Sequence, residues 1–591
     1  MKAFKYFAFS VCLVLFAGSS GTAAAQNYQT TDIQDLALIY QGGKHRLDWT
    51  VDEFRPYVVH QFLDGSKHWL FDGFLFLEFK NGTGRCYTVG YEKEFARKPE
   101  WEWLLDHIFD EGKSLSALDQ CIGEQIAEIG KPAFRHKVVL GLPEAVRDQK
   151  DWGELDGRRM DFSKDEDQIA ATKWYIDQLI ARFKKAGYKH LELSGFYWVA
   201  EDTNHCGDLT VPLSEYIHAQ KKLFYWIPYW QAKGHEDWKR LGFDVAYQQP
   251  NHFFNKSIPD SRLDEACAVA RKNGMAMEFE FDERATIAAP DTFYDRMLAY
   301  IDRFEKNDVF NASAVAYYCG NRGVLTLFES NERKDKVIMD RLARIIYTRQ
   351  VMKYGLPVKN KTRVVAHRGF WHTDGSAENS VSSLLNADKL GAYGAEFDVW
   401  MAADGKLVIH HDDKHGSYEM EKNPSTVLTT LELANGEKIP TLEQYLQAAR
   451  KTKLELVLEV KPHATPEADA EAVRKIVEMI GKYGLAKRVT YISFSFHALK
   501  ELVRVAPAKT PIMYLGGGTL PEDLKKMGMT GCDFNYWVFQ NNPTWLHSIK
   551  WLKMASNVWT VNNPVEMLWV IENGFDFITT DRPDLFLRLV R

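Results

Sequence analysis

Two histidines and three carboxylates close successive β-like runs in the C-terminal part of this 591-residue chain. His367-Arg368-Gly369 follows a Val-Val-Ala run, and Glu396-Phe397-Asp398 lies in a second. Val408-Ile-His-His-Asp412 brings a further histidine, and Leu458-Glu459-Val460-Lys461 closes a fourth run. Residues two apart on a strand share a face, so Glu396 points with Asp398 and Glu459 with Lys461. Carboxylates on one side of a pocket repel unless positive charge lies between them, and a divalent cation meets that need. Glu459 can add a third oxygen ligand, and Lys461 a charge for an anionic substrate. Singly, each element is more often a solvated or ion-paired carboxylate, a hydrogen-bonded histidine or a cross-strand charge pair. Their succession at strand ends points to a metal-assisted active site.

The N-terminal half offers carboxylates of a different kind. Its fourth β-like run ends Phe196-Tyr-Trp-Val-Ala-Glu201-Asp202, and its seventh reads Met277-Glu278-Phe279-Glu280-Phe281-Asp282. Glu278 and Glu280 therefore share a face. Strand ends four and seven are where many barrel glycosidases carry their acid/base and nucleophile. Tyr225, Trp226, Tyr229, Trp230 and Tyr247 crowd nearby and suit stacking on sugar rings. The glutamates can equally pair with Arg284 or Arg271, and barrel cores are aromatic in any case. A glycan-hydrolysing site, a glycan-binding barrel and a structural role all stay open.

The elements that must position these residues alternate between strand and helix. Apolar runs fall at Leu36–Tyr40, Trp69–Phe79, Lys137–Leu142, His190–Val199, Lys222–Trp230, Phe243–Gln248, Met275–Phe281 and Ala312–Cys319. Helix-like stretches such as Asp165–Ala186 and Asp291–Lys306 separate them. Eight such repeats predict a (β/α)₈ barrel over about 30–350. Tyr354-Gly-Leu-Pro-Val-Lys-Asn-Lys-Thr362 then marks a linker at 351–362. Nine β-like runs follow from Arg363 to Thr580, one more than a barrel needs. The gap between Trp400 and Lys406 is too short for a helix, so one run lies outside a second barrel spanning 363–591. The expected fold is two TIM-type (β/α)₈ barrels in tandem, an α/β architecture.

Composition sets the outer limits. The chain is 45% apolar and 13% aromatic, enough for two full cores and too much for a disordered protein. Its 74 Lys and Arg against 80 Asp and Glu leave a net charge of −6, which argues against nucleic acid as a partner. Lys2 and Lys5 precede the apolar run Tyr6–Ala17, and small residues follow to Ala25. Residues 1–25 thus read as a signal peptide. The apolar run of about 12 residues is too short to span a bilayer. Export to the periplasm or the outside, with no integral membrane segment after cleavage, is the expectation. The six remaining cysteines have no metal-site spacing and read mostly as buried small apolar residues.

From about Arg363 onward, the chain resembles the bacterial glycerophosphodiester phosphodiesterases. The matching pieces are His367-Arg-Gly369, Glu378-Asn379, Glu396-x-Asp398, His411-Asp412, Glu459-x-Lys461, Trp559-Thr-Val-Asn562 and Thr580-Asp581-x-Pro583. Spacing agrees, with 29 residues from His367 to Glu396 and 13 from Asp398 to His411. The resemblance implies His367 and His411 as the acid/base pair and Glu396, Asp398 and Glu459 as ligands of Ca²⁺ or Mg²⁺. It implies Arg368, Lys461 and Trp559 as substrate contacts. The usual Pro-Glu-Asn-Thr stands here as Ala-Glu-Asn-Ser, with Glu378 intact, and the segment from His411 to Glu459 is short. The N-terminal half resembles an uncharacterised bacterial family, domain of unknown function 4855, which implies no chemistry. The substrate expected is a small-molecule, glycan or lipid-headgroup phosphodiester, cleaved to an alcohol and glycerol 3-phosphate. The alternative is a glycoside hydrolase or glycan-binding surface protein acting through the N-terminal barrel.

Overall fold

A computed structural model describes residues 27–206, 208–355 and 360–591. The expected signal peptide, and 356–359 of the expected linker, lie outside the described residues. The chain divides into two compact units. The first runs through Val59, Phe71–Lys131 and Arg135–Met339; the second holds His60–Leu70, Pro132–Phe134 and Asp340–Arg591. The division falls inside a helix, Arg333–Tyr354, whose last turn covers the start of the expected linker.

The first unit is a closed barrel of eight parallel strands. They are β1 (Asp35–Tyr40), β2 (Gly73–Leu77), β3 (His136–Leu142), β4 (Leu191–Trp198), β5 (Leu223–Trp226), β6 (Val245–Gln248), β7 (Ala276–Glu280) and β8 (Val315–Tyr318). Every expected run overlaps one of them, with β1 and β3 each starting one residue earlier than expected. All six residues of β1 are buried, as a parallel strand between a filled interior and covering helices requires. Leu36, Leu38 and Tyr40 face the interior with Ala276 of β7 and Ala316 of β8. The pleat therefore turns Glu278 and Glu280 inward with Ala276. Phe279 points the other way, onto Tyr300 and Phe304.

The second unit contains eight parallel strands that also close. They are β9 (Arg363–Ala366), β10 (Gly394–Met401), β12 (Glu455–Val460), β13 (Val489–Ser493), β14 (Ile512–Tyr514), β15 (Gly531–Asn535), β16 (Ala555–Trp559) and β17 (Phe577–Thr580). The ninth run, β11 (Leu407–Ile409), pairs antiparallel with β10 outside the ring. Asp404-Gly405 turns that hairpin, with Gly405 at φ 74°, the geometry an Asp-Gly turn supplies. One expected run shifts: Val558–Asn562 is realised as Ala555–Trp559. Pairing of Asn535 with Trp559 ends the strand at the tryptophan, so Thr560–Asn562 become loop at the barrel mouth.

Interior side chains of this barrel include Val365, Val457, Ile492 and Met513. Phe397 and Val399 face the helices, which leaves Glu396 and Asp398 pointing inward. Among the described residues, no helix is long and apolar enough to cross a membrane. Cys86, Cys121, Cys206, Cys267, Cys319 and Cys532 are each buried and free of disulfides.

Candidate active site

Register does much of the positioning in the C-terminal barrel. Asp398 on β10 lies opposite Glu459 on β12, one pleat beyond Glu396 and Val457. Glu396, Asp398 and Glu459 are buried, and each offers an oxygen within 4.8 Å of the others. Lys461 completes the layer, 3.2 Å from Asp398 Oδ1 and 2.9 Å from Glu459 Oε1. Glu459 Oε1 receives no well-directed hydrogen bond despite that proximity. Burial, followed by the charges of Asp398 and Glu459, pushes the Glu396 carboxyl well above the usual range. Burial and Asp398 raise Glu459 to about 8. Burial opposes ionisation of Asp398 too, but Lys461 and then His411 hold its carboxyl below the usual range. Three crowded carboxylates with one ammonium are short of positive charge. A directed but orphaned oxygen is what a divalent cation would take up, so these residues fit such an ion.

His367 follows β9 directly. Its Nδ1 lies 2.7 Å from Asp581 Oδ1, which fixes Nδ1 as the donor and turns Nε2 toward Glu396 Oε2, 4.0 Å away. Asp581 is itself held by Asn562 Nδ2 at 2.6 Å and Trp371 Nε1 at 3.3 Å. Burial favours its neutral form, but the donors from His367, Asn562 and Trp371 keep it below the usual carboxylate range.

Arg368 adopts φ 54°, which aims its backbone N–H at Glu396 Oε2 at 2.9 Å. Its guanidinium pairs with Glu378. Asn379, also at positive φ, grips Asp398 from both ends: Nδ2 donates to Oδ2 at 2.8 Å, and Oδ1 accepts the Asp398 N–H at 3.2 Å. His411 rests its Nδ1 on Asp412 Oδ1 at 2.7 Å, and burial lowers its pKa. The adjacent His410 turns away, its ring bonded to Asp412 O and His415 Nδ1.

His367, Arg368, Glu396, His411, Glu459 and Trp559 line one cavity of about 160 Å³. Lys461 and Asp398 are buried and are not among its lining residues. Lys461, expected to face a substrate anion, is engaged with the two carboxylates, and Trp559 spends its indole N–H on Asp533 O at 3.0 Å. Sequence reasoning gave no role to Asp581, Asn562 or Asn379, although each stands in a quoted motif. Asp533 carried no signal at all. It lines the same cavity, buried, with Oδ1 unpartnered and its carboxyl pushed to about 7 by burial.

In the N-terminal barrel, Glu201, Glu278 and Glu280 meet at a separate cavity of about 330 Å³. Arg284 pairs with Asp282 instead, and Arg271 reaches Tyr28, so neither neutralises the glutamates. The aromatic lining also differs from expectation. Tyr225, Trp226 and Tyr247 are core residues, Trp226 stacked on Phe243 at 4.8 Å. Tyr229 and Trp230 are likewise not among the lining residues, which include Tyr40, Phe79, Tyr91, Phe254 and Tyr318.

Comparison with known proteins gives each barrel a family. Residues 35–344 match the domain of unknown function DUF4855, and residues 367–585 match the glycerophosphoryl diester phosphodiesterase family. A glycerophosphodiester phosphodiesterase of Caldanaerobacter subterraneus subsp. tengcongensis is 28% identical over 244 residues, covering 39% of this chain and 98% of the relative. One from Bacillus subtilis is 23% identical over 252 residues, covering 38% and 84%. A crystal structure of a glycerophosphodiester phosphodiesterase from Parabacteroides distasonis shares 46% identity over 39% of this chain and 98% of its own, at a TM-score of 0.39.

Proposed function

The chain belongs to the DUF4855 family and carries, over residues 367–585, a phosphoric diester hydrolase domain of the glycerophosphoryl diester phosphodiesterase family; from this we propose that its C-terminal barrel hydrolyses glycerophosphodiesters to glycerol 3-phosphate and an alcohol, with a divalent cation held by Glu396, Asp398 and Glu459. The observation that carries the reading is the meeting of an Asp581-anchored His367 with this carboxylate cluster at one cavity. When bound, Ca²⁺ or Mg²⁺ would supply positive charge for the phosphoryl oxygens.

The protein's own groups do the rest. His367 and His411 each commit Nδ1 to a carboxylate, which leaves Nε2 as the atom that accepts or donates a proton. One would take the proton of the attacking oxygen while the other protonates the departing alkoxide. The Arg368 N–H fixes Glu396, and Asn379 fixes Asp398. Lys461 keeps Asp398 ionised in the buried layer. The leader-like residues 1–25 support export, with a mature terminus at Gln26 that N-terminal sequencing of the secreted or periplasmic protein would read.

The test is release of glycerol 3-phosphate from glycerophosphocholine and glycerophosphoethanolamine by the mature protein. We expect release with Ca²⁺ or Mg²⁺, none with EDTA, and none from His367→Ala. Absence of release with either cation, or release unchanged in His367→Ala, overturns the assignment.

A further inference from the structure

The mouth of the N-terminal barrel holds a constellation that phosphodiester chemistry leaves unused. Glu278 and Glu280 stand on the inward face of β7, and Glu201 follows β4 by three residues. Their surroundings are unequal. Glu201 accepts the Gln249 amide at 2.7 Å and the Tyr91 hydroxyl at 3.3 Å. Glu280 accepts the Tyr300 hydroxyl and, at 3.1 Å, the His252 backbone N–H. Glu278 is 2% exposed and, among the described residues, receives no hydrogen bond. A buried carboxylate without a donor is costly, whereas a neutral carboxyl is far less so. Glu278 therefore sits at the cavity as an acid with its hydrogen uncommitted.

The rim supplies a second, independent sign of a ligand. Phe254 is 38% exposed and Tyr91 39%, and both line the cavity. Tyr91 stacks on Phe79 at 4.4 Å, and Phe254 stands edge-on to Tyr318 at 5.2 Å. Fixed aromatic faces open to solvent beside carboxyl groups suit the apolar C–H faces of a sugar ring, with its hydroxyls left for polar partners.

We propose that this cavity hydrolyses a glycosidic bond, with Glu278 as the proton donor and Glu201 as the anionic partner. The C–O bond breaks with its electron pair going to the departing oxygen, which takes the proton of Glu278. The anomeric carbon gains the oxygen of a water whose proton passes to Glu201. Exchange with solvent then returns both carboxyls to their starting states. Glu280 is a positioning residue, held by Tyr300 and the His252 N–H so that its negative charge keeps the proton on Glu278. Burial, then Glu280 and Glu201, push the Glu278 carboxyl well above the usual range, in agreement with that geometry.

The test uses the full chain carrying His367→Ala, which removes phosphodiester cleavage. It is offered 4-nitrophenyl glycosides of neutral hexoses, N-acetylhexosamines, deoxyhexoses, pentoses and uronic acids, and a panel of oligosaccharides read by new reducing ends. We expect release from at least one class, reduced about 10²–10⁴-fold by Glu278→Gln and by Glu201→Gln. Both variants should melt within a few degrees of their parent, and Phe254→Ala should raise KM with little change in kcat. No release from any member overturns the proposal, as does release that survives both glutamine substitutions. Saccharide binding without release overturns the hydrolytic assignment.

Discussion

Asp581 lies 214 residues from His367 in sequence, yet its carboxylate decides which imidazole nitrogen faces the cavity. The motifs that carried the site in the sequence are those whose members lie within a few residues, such as His367-Arg-Gly369 and Glu396-x-Asp398. Strand periodicity places those side chains with no knowledge of the fold. Asp581 and Asp533 act across strands, so their meaning waits on strand order. The orienting role has a measurable signature. Asp581→Asn keeps shape but offers an amide where a carboxylate held the Nδ1–H, so kcat for glycerophosphodiester release should fall about 10–100-fold. KM should stay nearly constant, because Asp581 is bonded to His367, Asn562 and Trp371. Steady-state kinetics checks this, and an unchanged kcat would refute the role.

At the level of elements, alternation of apolar runs and helical stretches made both barrels legible, because fully buried parallel strands are continuous in hydrophobicity. Strand ends were less legible. Val558-Trp-Thr-Val561 favours β throughout, and only pairing with β15 stops the strand at Trp559. The count of nine C-terminal runs did expose the hairpin, since the connection from β10 to β11 is too short to cross back. The turn after β9 shows how an element sets a site. Gly369 sits at φ 77°, and a Cβ there would run into the side chain and backbone of Ser383. Gly369→Ala should thus cost about 2–3 kcal/mol through strain and overpacking. For a domain of this size that is a drop of roughly 4–12 °C in the melting temperature of the C-terminal barrel. The same shift would pull the Arg368 N–H from Glu396, so cation-supported activity should fall with it. A melting curve indistinguishable from the parent would show that the turn tolerates a side chain.

Over the whole molecule, the two barrels bury acid for different ends, and the variables that stabilise them should differ. In the C-terminal barrel, a cation binding only the folded cluster adds about 2.7 kcal/mol at a hundred times its dissociation constant. That increment should vanish in Glu396→Gln. In the N-terminal barrel the crowding of carboxyls is relieved by the proton that Glu278 holds. Burial raises Glu201, takes Glu280 to about 7, and lifts Glu278 well above the ordinary range. A carboxyl whose folded pKa exceeds its unfolded value holds a proton that the unfolded chain has already lost. Its stabilisation is complete below about pH 4.5 and drains away as the pH climbs through the folded value, at about 1.4 kcal/mol per unit for each such group. Calorimetry between pH 5.5 and 8 should therefore show the N-terminal barrel weakening as pH rises, whether or not Ca²⁺ or Mg²⁺ is present. Glu278→Gln, which removes the ionisable group and keeps its volume, should flatten that slope and raise the melting temperature at pH 8. The barrel would then be more stable without the acid that its proposed chemistry needs, the trade expected where strain is kept for function. An unaltered slope in Glu278→Gln would mean that Glu278 is not held neutral by a proton in the folded barrel.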